Sequence, residues 1–238
     1  MSENKIVLTP ADEKAISARD AVFLLNKGAA LYAKGDDYKT ATEYYRLAAA
    51  MGDDQAIANL GYVYLYGRAT EPNLSIAMGY FKIAAAMDNV DGAYKLGDIY
   101  GSDKWGVIDT ELSLYYYRMA AALLIDGQCD PDNVIECDSL KGYPSLCFAL
   151  GREMSLKGNM ATNLSVSYQF LKLAEIGYKT ALAAGMDYYG GCLAAVEELL
   201  NDVQYDMVRD KFDDAVAADD EEADFSAKQK RSGKIMPS

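Results

Sequence analysis

The chain contains no histidine. That removes Ser-His-Asp and Cys-His catalysis, the imidazole proton shuttle and every His-ligated metal. Tryptophan occurs once and proline five times. The four cysteines, Cys129, Cys137, Cys147 and Cys192, form no C-x-x-C pair, and their spacings match no zinc framework. They read as idle thiols, with a Cys129–Cys137 disulfide as the alternative. Bases are in deficit too: 23 Lys and Arg against 36 Asp and Glu leave a formal charge of −13. Nucleic acid is therefore not an expected partner, because that binding rests on clustered bases. No apolar run is long enough for a membrane span, and none is expected. The N-terminus lacks the basic and apolar regions of a signal peptide, which points to a cytoplasmic location. There is no Walker loop, G-x-G-x-x-G or G-x-S-x-G, and no cofactor is expected.

What is present is a core-forming composition, 51% hydrophobic over 238 residues, and a repeat. Ala56 to Tyr64 aligns with Gly92 to Tyr100 through Leu60-Gly61 and Leu96-Gly97, 36 residues apart. A third copy, Leu146 to Met154 with Leu150-Gly151, lies one period plus an 18-residue insertion further on. A second register agrees. Asp37, Asn73, Asp109 and Asn163 hold one position, and all are strong N-cap types. Small residues follow four later (Ala41, Ala77, Ser113, Ser167). Aromatics follow at offset seven (Tyr44, Tyr80, Tyr116, Phe170), and alanines at offset eleven (Ala48, Ala84, Ala120, Ala174). Offsets 4, 7 and 11 share one helical face. The pattern predicts stacked helical hairpins, none able to bury its apolar stripe alone. The in-register Gly61, Gly97 and Gly151 predict close helix–helix approach, since a mid-helix glycine costs about 1 kcal/mol against alanine. The sequons at Asn73 and Asn163 are better explained as these repeated caps. Cys147 to Arg152 is one residue short of a cysteine-phosphatase loop and falls in an expected helix.

Leu-Gly-x-x-Tyr, a turn, Asn/Asp, a small residue, Tyr and Ala-Ala resembles the Sel-one-like repeat (SLR) family of the tetratricopeptide (TPR) superfamily. The likeness is best over 56–91 and 92–126, weaker over 146–177, and closer to a plain TPR over the leading unit. The chain departs from the pattern at its turns, where only Gly67 and a displaced Gly106 remain, and at Met154, where Tyr is usual. The resemblance implies an all-α fold, a right-handed α-solenoid of TPR/SLR-type hairpins with capping helices. The expected divisions are an arm and short helix over 1–17 and a repeat solenoid over 18–190. The solenoid comprises units 18–55, 56–91, 92–126, 146–177 and a degenerate 178–190, with a surface insertion at 127–145. A capping helix over 192–218 and a disordered tail over 219–238 complete the chain.

The resemblance implies a non-catalytic protein–protein interaction module, an adaptor or scaffold with a concave groove lined by the first helices. Off-register residues there are the candidate partner-binding set: Asn59, Tyr62, Tyr66, Tyr94, Asp98, Phe148 and Arg152. Tyr62, Asp98 and Arg152 occupy equivalent positions yet differ, as a surface tuned to one partner would. The charge favours a neutral or basic protein or peptide. Two alternatives are a hydrolase-type or small-ligand-binding SLR protein and a self-associating scaffold using the 192–218 helix. The hydrolase reading is weakened because such relatives are rich in paired cysteines.

Overall fold

The computed structural model describes residues 6–35, 37–125, 130, 133–156 and 163–232. Among them the chain is all-α, with ten α-helices and no strand. It divides into two compact units, 1–128 and 129–238.

The first unit opens with α1 (Pro10–Ala18) and continues as three hairpins. These are α2 (Ala21–Lys34) with α3 (Tyr38–Ala49), α4 (Asp54–Tyr66) with α5 (Leu74–Ala85), and α6 (Val90–Gly101) with α7 (Thr110–Ile125). Partners pack within each hairpin, and α3 on α4 and α5 on α6 join consecutive hairpins. The caps act as the sequence predicts. Asp37, Asn73 and Asp109 accept hydrogen bonds from the N–H groups of Thr40, Ile76 and Leu112 at 2.9–3.0 Å. Asn73 and Asp109 also close their hairpins, donating their own N–H to the carbonyls of Tyr64 (2.8 Å) and Tyr100 (2.9 Å). One residue type thus starts the second helix and ties it to the end of the first.

Inside each hairpin a ring lies on a bare glycine. A Cβ added at Gly61 would meet the Phe81 ring at 2.6 Å, and one at Gly97 would meet Tyr117 at 2.6 Å. Gly28 faces Tyr45 in the same way at 2.9 Å. The rings sit one position after the aromatic register of Tyr44, Tyr80 and Tyr116. That register serves a second contact: Tyr64 stacks on Tyr80 and Tyr100 on Tyr116, with centroids 5.6 and 5.9 Å apart. The small residues at offset four allow the helices to meet, and Ser113 adds a hydrogen bond to the Gly97 carbonyl at 2.8 Å.

Helix α1 is fastened to this stack by a buried carboxylate. Asp12 has no exposed surface and accepts from Lys27 Nζ at 2.6 and 2.7 Å, from Thr9 N and Oγ1 at 2.7 Å, and from Tyr44 Oη at 3.0 Å. Burial alone would raise its pKa. The Lys27 ammonium and the other donors outweigh that and hold the carboxyl well below its usual range.

The second unit contains short 3-10 turns at Val134–Glu136 and Asp138–Gly142, then α8 (Pro144–Ser155) and α9 (Leu164–Ala183). A 3-10 turn at Asp187–Tyr189 leads into α10 (Gly190–Ser232). Helices α8 and α9 repeat the hairpin chemistry. Asn163 caps Val166, Ser167 Oγ donates to the Gly151 carbonyl at 2.7 Å, and a Cβ at Gly151 would meet Leu171 at 2.7 Å.

Four expectations change in this unit. The described part of the insertion is not a plain surface loop, because Val134 and Leu140 are fully buried and both 3-10 turns pack on α9. No separate unit exists at 178–190, since α9 runs unbroken to Ala183. Helix α10 extends to Ser232, beyond the expected 192–218, and occupies most of the tail read as disordered. Its sequence explains this: from 211 to 232 there is no Gly or Pro, and alanine, acids and lysine dominate. Residues 233–238 lie outside the described set. Cys147 and Cys192 are free, but Cys137 is disulfide-bonded, so the four thiols are not all idle. Cys129, its partner in the alternative reading, lies outside the described residues.

Two predictions follow from this packing. Gly97→Ala should destabilise by about 1–3 kcal/mol through overpacking against Tyr117. Gly79→Ala, mid-helix in α5 with open space around it, should stabilise by about 1 kcal/mol. Urea unfolding of both variants checks the pair. Asp12→Ala should cost roughly 3 kcal/mol, whereas exposed Glu13→Ala should stay within about 0.5 kcal/mol. Since the folded pKa of Asp12 lies below the unfolded value near 3.9, its contribution is complete above that value. It is lost as pH falls through the folded pKa. The wild type–Asp12→Ala stability gap should therefore shrink as acid titration proceeds below about pH 4.

Candidate interaction surface

Helices α4 and α6 are the first helices of consecutive hairpins and touch each other. Asn59, Tyr62 and Tyr66 stand at i, i+3 and i+7 on α4, hence on one face. The Tyr62 ring lies nearly parallel to Tyr66, centroids 6.2 Å apart, and meets Phe81 edge-on at 5.2 Å. Tyr66 is 45% exposed and Tyr62 half-buried, so each ring is anchored on one side and open on the other.

Lys95 on α6 joins the two helices. Its ammonium is 5.6 Å from the Tyr62 ring centroid and 4.8 Å from that of Tyr94. It donates to Asp98 Oδ2 at 2.5 Å, while Asp98 Oδ1 accepts from Tyr117 Oη at 2.8 Å. Tyr62, Tyr94 and Asp98, placed together by sequence reasoning, are in fact brought together. Asp98 has less freedom than a groove residue was expected to have, because both its oxygens are engaged. Asn59 belongs to a neighbouring amide network: Gln55 Nε2 donates to Asn59 Oδ1 (3.3 Å) and to Asp91 Oδ2 (3.0 Å). Asn89 Nδ2 in turn donates to Asp54 Oδ2 (2.7 Å) and Gln55 Oε1 (3.1 Å).

The aromatic face reaches α2 through Arg68, which follows the left-handed Gly67. Its guanidinium lies 5.2 Å from the Tyr32 ring and 5.5 Å from Tyr38. Burial raises the Tyr32 pKa, and the nearby Arg68 opposes that rise. Phe148 and Arg152 lie on α8 in the second unit, where the Arg152 guanidinium is 5.9 Å from the Phe148 ring.

Sequence reasoning passed over Lys95 and Arg68. A signal for Lys95 existed, since it stands 36 residues after Asn59 in the same register. Arg68 is in a turn and carries no periodic mark. Chemically the face offers ring surfaces, amides and one paired cation. Burial pushes the Cys147 thiol up to about 12, so it is no nucleophile at neutral pH. Among the described residues no cluster of acids and cysteines could hold a metal ion, and no helix is long and apolar enough to cross a membrane.

The Sel1 repeat family model matches residues 23–53, 54–89 and 90–123, which are the three hairpins of the first unit. The chain carries three Sel1 repeats. Among curated proteins none matches it. The solved structures similar to it include the following two. One is a protective antigen present in uropathogenic Escherichia coli strains that displays an SLR fold. It is 20% identical with a TM-score of 0.45, over 75% of this chain and 43% of the antigen. The other is a Sel1 repeat protein from Oxalobacter formigenes, 19% identical with a TM-score of 0.44, over 85% of this chain and 91% of that one. The Sel1 matches end before α8 and α9, yet that hairpin has the same cap, serine bond and glycine contact.

The engaged state of Asp98 is testable. Asp98→Ala should cost about 1–2 kcal/mol by removing the carboxylate to which Tyr117 Oη and Lys95 donate. Asn59→Ala should stay within about 0.5 kcal/mol. Thermal melts that rank the two the other way would show that the carboxylate does not join Lys95 to Tyr117.

Proposed function

We propose that this Sel1 repeat chain is a non-catalytic interaction module that binds a protein or peptide segment across the first-helix face of α4 and α6. Sel1 repeats commonly serve as protein-interaction modules, which supports the general reading. The observation that carries the specific one is the Tyr62–Lys95–Tyr94 assembly. Its rings are held in place from behind, so little side-chain entropy is lost on binding. Tyrosine and arginine dominate interface hot spots, and Tyr66 and Arg68 stand at the edges of this face. A charge of −12 over residues 1–218, with −1 on the tail 219–238, favours a neutral or basic partner whose association slows as salt rises. The Cys137 disulfide weighs against the cytoplasmic location expected from the N-terminus, because such crosslinks persist in oxidising compartments.

The test is affinity capture with immobilised wild type and a Tyr62→Ala/Tyr66→Ala variant, followed by titration of each captured protein. Partners of this face should bind the variant at least about 30-fold more weakly, equivalent to 2 kcal/mol. Equal capture by a variant of unchanged helix content would remove the face from the binding site.

A further inference from the structure

The outer faces of α5 and α7 depart from what a stacked hairpin needs. Each helix buries one stripe against its neighbours, through Ala77, Phe81 and Ala84 in α5 and through Ser113, Tyr117 and Ala120 in α7. The opposite side of a surface helix is ordinarily polar. Here it carries Ile76 (42% exposed) and Ile83 (52%) on α5, and on α7 Leu112 (38%), at the place of Ile76, and Tyr115 (55%), at the place of Gly79. The repeat itself does not require this. In α3 the corresponding positions of Ile76 and Gly79 are Thr40 and Glu43, and Glu43 there pairs with Arg46. Arg46 recurs as Lys82 and Arg118, but the carboxylate three residues earlier has become Gly79 and then Tyr115. Lys82 and Arg118 are accordingly exposed, with no hydrogen bond or ion pair among the described residues. In both repeats the position of Thr40 has become apolar and the acid at the position of Glu43 is gone, while Leu47 is already apolar where Ile83 stands; on α7 the nearest acid on that face is Glu111, two turns before Arg118.

The chain also holds a surface of the opposite kind. Helix α10 buries Val196, Leu200 and Val203 against its own unit. Its outward side presents Tyr205 and Val208, each 70% exposed, beside the exposed carboxylates Glu198 and Asp202. Neither carboxylate has a hydrogen bond or ion pair among the described residues. An apolar strip flanked by free acids is complementary to an apolar strip flanked by free bases. An anionic lipid surface is the poorer match, since two cations would face it on a chain of charge −13.

We infer that the outer face of α5 and α7 docks a second copy of this chain through that copy's α10 face. The two surfaces differ, so the contact joins unlike faces, reciprocally within a pair or head-to-tail along an array. It is distinct from the first-helix face and stands whether or not that face binds a partner.

Sedimentation velocity of the full chain, from low micromolar to near-millimolar protein, tests this. The weight-average mass should rise with concentration and less so at high salt. Lys82→Glu/Arg118→Glu and Glu198→Lys/Asp202→Lys should each weaken association about tenfold or more, and an equimolar mixture of the two variants should recover it. Ile83→Ser/Tyr115→Ser, altered only at exposed positions, should also weaken it with unchanged helix content. Monomer at every concentration overturns the inference. So does association that the charge and apolar variants leave intact, or variants that weaken association without recovery on mixing. Binding of wild type to phosphatidylserine vesicles that Lys82→Glu/Arg118→Glu abolishes, with no self-association, assigns the face to lipid and overturns it too.

Discussion

Each hairpin depends on a ring or branched side chain lying flat against a glycine in the facing helix. The contact is under 3 Å from where a Cβ would stand, so the interhelix distance is set by backbone surface. It recurs as Tyr45 on Gly28, Phe81 on Gly61, Tyr117 on Gly97 and Leu171 on Gly151. The rest is arranged around that approach. Small residues at Ala41, Ala77, Ser113 and Ser167 are needed because the helices are so near, and a serine there reaches a facing carbonyl. The cap residue closes the hairpin at the other end. Since interiors pack at crystal-like density, such a contact tolerates little change in volume on either side.

The first-helix face inherits its rigidity from this arrangement. Phe81, which fills the space over Gly61, is also the ring on which Tyr62 leans. Tyr117, which covers Gly97, holds Asp98 through its hydroxyl and lies beside Tyr94. The residues that pack the hairpins therefore also orient the surface. Such coupling suits recognition, because a preorganised face loses less freedom on binding.

Caps, glycines and the repeat were legible because each is a local or periodic requirement that one stretch of sequence must meet. Five of the seven proposed site residues fall on α4 and α6, and Tyr62, Tyr94 and Asp98 are joined there. The connection runs through Lys95, whose role depends on geometry between repeats. A lysine one period after an asparagine looks ordinary until Tyr62 is seen across from it. Phe148 and Arg152 were grouped by register alone, and register does not say that they belong to another compact unit. The insertion was misjudged because 3-10 turns bury Val134 and Leu140 without a helical period. The length of α10 was misjudged because charge blocks suggest disorder, whereas an alanine-rich stretch without Gly or Pro continues a helix already started.

The Asp12 lock has a consequence for how the first unit comes apart. In a stack whose members touch mainly their neighbours, unfolding proceeds by fraying from the ends. At the N-terminal end, peeling α1 away must separate a buried carboxylate from the Lys27 ammonium and the Tyr44 hydroxyl. That raises the barrier where a linear array is ordinarily weakest. Above about pH 4 the terminus is thereby guarded by electrostatics. In acid the guard is released, and loss of structure can begin at the first hairpin.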